Sequence, residues 1–125
     1  MSATLSIAGL RVTAANGTSL VRGVDAEARP GHPLTFLGET GSGKSLVLAA
    51  AMGTLALGLH AEGHVLLDGT DVLSASPRAR RTLWGRRLAM LPQEPWLALD
   101  PTMRALAQVA EVYRLVRGLP AAVSE

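Results

Sequence analysis

The 125-residue chain has no cysteine and a single lysine. Without cysteine, a disulfide framework and a thiolate metal site are both excluded. That composition fits a reducing cytoplasm. The N-terminus, Met1-Ser2-Ala3-Thr4-Leu5-Ser6-Ile7, lacks a basic segment followed by an apolar one, so it does not read as a signal peptide. The apolar stretch from Leu46 to Leu59 falls short of the ~20 residues of a membrane span, and Gly53 and Gly58 interrupt it. Charge of one sign is not in excess. The net charge is +2, which does not point to nucleic acid as a partner. Arg78, Arg80, Arg81, Arg86 and Arg87 do fall close together, but Trp84 is the one aromatic residue among them. A nucleic-acid surface needs stacking rings or a basic patch spread across a fold, so this run reads as a solvated helical face. There is no internal repeat and no low-complexity tract. Apolar residues are plentiful, at 48%, which is enough for the core of one domain or a piece of one.

The single lysine stands in Gly38-Glu39-Thr40-Gly41-Ser42-Gly43-Lys44-Ser45, while the other fixed cations are all arginine. The octet fits the phosphate-binding loop G-x-x-x-x-G-K-[ST] at each required position. A compact ammonium on a flexible stem suits a tight phosphate cradle better than a planar guanidinium does. Pro33-Leu34-Thr35-Phe36-Leu37 before the loop reads as a short buried strand. Ser45-Leu46-Val47-Leu48-Ala49-Ala50-Ala51-Met52 after it reads as a helix, apolar all round and therefore buried. Backbone N–H groups from Gly41 to Ser45 would point into the loop at the positive end of that helix. The candidate binding residues are Gly38, Glu39, Thr40, Gly41, Ser42, Gly43, Lys44 and Ser45, with Leu46 in the following turn. Lys44 is expected to reach the β- and γ-phosphates of a nucleoside triphosphate, and the Ser45 hydroxyl to ligate Mg²⁺.

Elsewhere, strands and helices follow one another. Leu5 to Ala8 and Leu10 to Thr13 alternate with period two around Gly9, one strand with a bulge. Asn16-Gly17 signals a hairpin, and Ser19–Val21 with Val24–Ala28 read as the returning strands, closed by Pro30-Gly31. Val65-Leu66-Leu67 leads to a second turn at Asp68-Gly69, beyond which Val72-Leu73 resumes. Ser76 is the N-cap and Pro77 the first residue of a helix running to about Gly85. Leu88-Ala89-Met90-Leu91 reads as another short buried strand. A last helix begins at Asp100-Pro101 or Thr102 and runs through Arg117, with Leu106, Val109, Tyr113 and Val116 on one face; Gly118 and Pro120 end it. The three histidines, His32, His60 and His64, read as ordinary loop or surface residues.

Leu88-Ala89-Met90-Leu91-Pro92-Gln93-Glu94-Pro95, followed by Leu99-Asp100-Pro101-Thr102-Met103, resembles the Q-loop region of ABC transporter ATPases. The nearest likeness is to the ATP-binding subunits of oligopeptide, dipeptide and nickel importers. The hairpin around Asp68-Gly69-Thr70-Asp71 fits the same family, and the resemblance runs from about Leu5 to Gly118. It implies an α/β P-loop NTPase fold with an N-terminal antiparallel β subdomain. The implied division is 1–32 for that subdomain, 33–59 for the P-loop strand, loop and helix, 60–100 for the hairpin, helix and Q-loop strand, and 101–118 for the start of a helical subdomain. Gln93 is implied as a catalytic residue, its side-chain carbonyl a hard oxygen for Mg²⁺, beside Ser45, or for the attacking water. The implied partners are ATP, transmembrane permease subunits and a second nucleotide-binding domain, at the inner face of the cell membrane. Glu94, Pro95 and Trp96 would form part of the permease-facing surface, with local packing an equal account of Trp96.

The sequence departs from that family's pattern in two ways. The place where the family stacks an aromatic ring on adenine corresponds to Thr13 to Ala15, which has none. Residues 46–125 also contain no Leu-Ser-Gly-Gly-Gln-type signature, no apolar strand ending in Asp-Glu, and no later switch histidine. The chain therefore reads as the N-terminal half of a nucleotide-binding domain. In that family the strands that separate the Q-loop strand from the P-loop strand come later in the sequence, so both apolar strands are expected to lack neighbours. Two other readings stay open: another P-loop ATPase or a nucleotide kinase, and a non-catalytic fragment.

Overall fold

The computed structural model describes residues 3–118. The chain divides between Thr82 and Leu83 into two units. The first is an antiparallel sheet with a helix packed on it. The strands are β1 (Leu5–Ala14), β2 (Ser19–Ala28), β3 (Leu59–Leu67) and β4 (Thr70–Asp71), in the order β2-β1-β3-β4. Helix α1 (Lys44–Met52) packs against β1, β2 and β3. Fold class and sheet type are as expected, an α/β arrangement with an antiparallel β subdomain.

The bulge in β1 is what makes its pattern work. Ile7, Leu10 and Val12 are all buried, yet Ile7 and Leu10 are three positions apart and would face opposite sides of a regular strand. The register breaks between Ile7 and Leu10 against β2 and between Ala8 and Arg11 against β3. The extra residue brings Leu10 back to the core face. Val21 of β2, opposite Val12, and Val65 and Leu67 of β3, opposite Ile7 and Leu5, complete that face. Val47, Ala50 and Ala51 of α1 cover it, together with Val72. Only this one stripe of α1 is buried. Leu48 is half exposed, so the expected all-round burial holds for one side. Each fully buried Leu or Val contributes about 1.5–3 kcal/mol.

Strand β3 is longer than the Val65–Leu67 segment read from sequence. Its first part, Leu59-His60-Ala61-Glu62-Gly63-His64, has no β-branched residue, and its short apolar–polar alternation at 59–62 stops at Gly63. It is a strand because β1 offers a free edge, pairing Thr13 with His60 and Val12 with Ala61. A side chain at Gly63 would stand 2.6 Å from the Gly9 carbonyl, so the glycine that obscures this strand is the residue the close approach requires. At the β3–β4 turn, Asp68 and Gly69 both have positive φ, as the dipeptide favours. Asp71 closes the hairpin: its carboxylate accepts from the Leu73 and Val65 amides and lies 2.9 Å from His64 Nδ1. Partial burial pushes the Asp71 carboxyl up, but the His64 and amide hydrogen bonds together outweigh it and its pKa is lowered.

Two expected strands are not formed. Pro33–Leu37 has no regular structure, with Leu37 90% exposed, and Leu91 of the expected Leu88–Leu91 strand is 85% exposed. An apolar run becomes a strand only when another strand takes up its N–H and C=O groups, and neither segment has such a neighbour among the described residues. Leu88 makes only an isolated bridge to Trp84.

Helix α2 (Pro77–Leu83) begins as expected, with the Ser76 hydroxyl accepting from the Ala79 amide at 3.2 Å. In the second unit a 3-10 turn at Pro95–Ala98 precedes α3 (Ala105–Arg117). That helix starts later than the sequence suggested. The Asp100 carboxylate accepts from the Thr102 amide and hydroxyl, and the Gln108 amide donates to the Asp100 and Met103 carbonyls. Those bonds close 100–103 as a turn of its own. Gly118 caps the helix C-terminus; Pro120 lies outside the described residues. Leu106, Val109, Tyr113 and Val116 do share a face, but none is buried and Leu106 is 80% exposed.

Candidate phosphate-binding site

The loop from Gly38 to Gly43 leads directly into α1, whose first residues are Lys44, Ser45 and Leu46. The helix starts without a cap: Gly43, at the N-cap position, has φ 89° and makes no side-chain hydrogen bond. The first intrahelical bond is Val47 N–H to the Gly43 carbonyl, at 3.0 Å. The amides of Gly41, Gly43, Lys44, Ser45 and Leu46 donate to no other group among the described residues. A helix N-terminus with its donors open and no acidic side chain in its first turn is a site prepared for an anion.

Lys44 sharpens that reading. A cation at the first helical position is opposed by the helix field. Its ammonium turns back over the loop and donates to the Gly38 carbonyl at 2.7 Å, the Glu39 carbonyl at 2.6 Å and Ser42 Oγ at 3.2 Å. It is thus held by oxygens alone, in a ring the loop closes with itself. A Cβ on Gly38 would stand 2.7 Å from Ser42 Oγ and would break that ring. At Gly43 a Cβ would meet Val21 Cγ2 at 3.1 Å and the Leu20 carbonyl at 3.2 Å. Gly43 therefore seats the loop on β2, a support that sequence reasoning did not find because Leu20 and Val21 lie far from the motif.

The donor set fits a polyphosphate: five open amides, an ammonium on a flexible stem and glycines that leave room for close approach. For Mg²⁺ it offers the Ser45 hydroxyl, a hard oxygen with no hydrogen bond to another described residue. No group of three or more His, Cys, Asp or Glu among the described residues is placed to hold a metal ion. Gln93 belongs to the second unit, exposed, in an irregular stretch before the 3-10 turn. Trp96, in that turn, is also exposed. Thr13 and Ala14 end β1 without an aromatic ring, and the Ala15 amide donates to the Gly58 carbonyl at 2.8 Å.

The arginine run separates on inspection. Arg78 and Arg81 are exposed, as a solvated face requires. Arg80 is not part of that face: it is partly buried, donating from Nε to the Ala75 carbonyl and from Nη1 to the Gly53 carbonyl. Nothing in the local sequence distinguishes it from its neighbours. The one available signal is that α1 has no basic residue in its own last turn.

The chain resembles known proteins over most of its length. The profile of the ABC transporter family matches residues 21–122. The oligopeptide transport ATP-binding protein OppD of Salmonella typhimurium is 34% identical over 118 residues, 92% of this chain and 35% of that protein. The dipeptide transport ATP-binding protein DppD of Lactococcus lactis subsp. cremoris is 34% identical over 100 residues, 79% of this chain and 29% of that protein. The probable D,D-dipeptide transport ATP-binding protein DdpD of Escherichia coli is 38% identical over 93 residues, 73% of this chain and 28% of that protein. The chain thus spans about a third of the length of these relatives. Among the described residues no helix is long and apolar enough to cross a membrane.

Proposed function

The chain belongs to the ABC transporter family, and from that premise we propose that its loop Gly38–Ser45 binds the phosphates of ATP. The observation that carries the proposal is Lys44, a cation held only by loop oxygens at an uncapped helix N-terminus. An incoming γ-phosphate offers that ammonium better acceptors than two carbonyls, because charge-assisted bonds are the stronger ones. The open amides of Gly41 and Gly43 to Leu46 then cradle the phosphates, and Gly43 holds the cradle against β2. The Ser45 hydroxyl would hold Mg²⁺ there, as a hard oxygen at the edge of the cradle. Mg²⁺, when bound, neutralises charge on the β- and γ-phosphate oxygens.

In the whole protein this binding would energise import of solutes of the peptide class, the class named in the relatives' descriptions. Transmembrane permease subunits and a second nucleotide-binding domain would be its partners, at the cytoplasmic face of the membrane. Gln93, Glu94 and Trp96, exposed in the second unit, are available to such a permease. The family match favours this reading over a nucleotide kinase.

Titration with a fluorescent ATP analogue tests the cradle. Lys44→Ala should weaken binding by about ten- to a hundredfold, the scale of a hydrogen-bonded charge. Equal affinity in the two forms sinks the assignment.

A further inference from the structure

Helix α1 favours a cation at its C-terminal end and contains none there. Its last turn has no basic side chain, while its one charge, Lys44, sits at the opposite end. Its closing carbonyls are met locally: Gly53 N–H reaches Ala49 and Ala50, and Thr54 N–H reaches Ala49. The carbonyl of the C-cap residue, Gly53, accepts from Arg80 Nη1 at 3.0 Å across 27 residues of sequence. Arg80 Nε donates at 3.1 Å to the Ala75 carbonyl, just before α2. The arginine stem lies over Gly53, where a Cβ would stand 2.6 Å from Arg80 Cδ and 3.3 Å from Val72 Cγ1 of the buried core. One guanidinium thus ties the end of the P-loop helix to a second segment and supplies its missing charge.

We infer that Arg80 is a positioning residue for phosphate binding at the other end of α1, a role that rests on reading Gly38–Ser45 as a phosphate cradle. At nine residues, α1 is about 13 Å long. A tilt of about 5° at its C-terminus would displace its N-terminal amides by roughly 1 Å, which is enough to spoil directed hydrogen bonds. Arginine suits the place because its planar fork serves two carbonyls at once; a lysine ammonium would give the charge with less directional hold. The same charge offsets the negative end of the helix dipole.

The test compares the full chain with Arg80→Met, which keeps the stem but loses charge and donors, and with Arg80→Lys, which restores the charge. Affinity for a fluorescent ATP analogue is read below each variant's unfolding midpoint, with helix content checked by circular dichroism. Arg80→Met should bind about three- to fivefold more weakly, and Arg80→Lys should recover a good part of the loss. The amide resonances of Ser45 and Leu46 should shift in Arg80→Met and move back in Arg80→Lys, which a purely local packing role would not produce. Folded Arg80→Met with wild-type affinity overturns the inference, as does an Arg80→Lys form no better than Arg80→Met. Should Arg80→Met not fold, Arg80→Lys must bind more tightly than Arg80→Gln, and equality overturns the inference. Wild-type and Lys44→Ala chains that both fail to bind overturn the cradle itself, and the role of Arg80 with it.

Discussion

The two units of this chain are built from similar side chains with opposite results. Up to Thr82, apolar residues on β1, β2, β3 and α1 close over one another, and all the buried apolar side chains among the described residues lie there. From Leu83 on, Leu91, Trp96, Leu97, Leu106, Val109 and Tyr113 are all exposed. The difference is not composition. Helix α3 is amphipathic by spacing, whereas α1 is apolar nearly all round. What α1 has, and α3 lacks among the described residues of its own unit, is a sheet to lie on. An apolar stripe contributes to stability only through the area it removes from water. Patterning therefore marks the capacity for burial, and a second layer decides whether that capacity is used.

The sharpest way to break this contrast is truncation on each side of it. Leu10→Ala, at a fully buried site, should cost about 2–5 kcal/mol. Leu106→Ala, 80% exposed, should change stability by less than ~0.5 kcal/mol. Urea denaturation followed by circular dichroism reads both, and similar losses would mean that α3 is packed in solution. Next in size is Gly43→Ala. The left-handed backbone and the contacts to Val21 and the Leu20 carbonyl should together cost about 1–3 kcal/mol and weaken nucleotide binding. Gly41→Ala, with open space around its Cβ, carries only the backbone part. Calorimetry on both variants separates the two terms.

A smaller effect concerns the choice of base. With no ring at Thr13 to Ala15, ATP and GTP should bind within about tenfold of each other, below ~1.4 kcal/mol. Competition binding that returned a hundredfold preference for ATP would mean that another residue supplies the ring, with Trp84 and Tyr113 the suspects. The smallest effect is a pH dependence confined to the first unit. Asp71 has a lowered pKa in the fold. Its stabilisation is therefore fully present above the ordinary carboxylate value near 4 and is lost as pH falls through the lower folded value. That contribution is of the order of 0.5–1 kcal/mol. Asp71→Asn should flatten acid denaturation. Asp100 is likewise lowered by its Thr102 bonds but is fully exposed, and Asp100→Asn should leave the acid midpoint unchanged. A larger shift from Asp100 would reverse the contrast.

Several features were legible in the residues themselves because their causes are local. The loop around Lys44 needs glycines and an ammonium at fixed spacing. The turns at Asn16-Gly17 and Asp68-Gly69 need residues that tolerate positive φ, and the start of α2 needs a hydroxyl and a proline. The Gly9 bulge followed from a slip in alternation within one strand. Other features depended on what the chain brings together. Residues 59–64 became strand because β1 offered an edge. Pro33–Leu37 and Leu88–Leu91 did not, because among the described residues no strand stands beside them. Arg80 left its arginine run to cap a helix that ends 28 residues earlier, and Val21 became the seat of Gly43. Local stereochemistry and hydrogen bonding act over a few residues, so sequence alone determined them. Burial, edge pairing and a side chain's choice among distant carbonyls depend on surfaces that exist only once the layers meet, and only the tertiary structure could decide them.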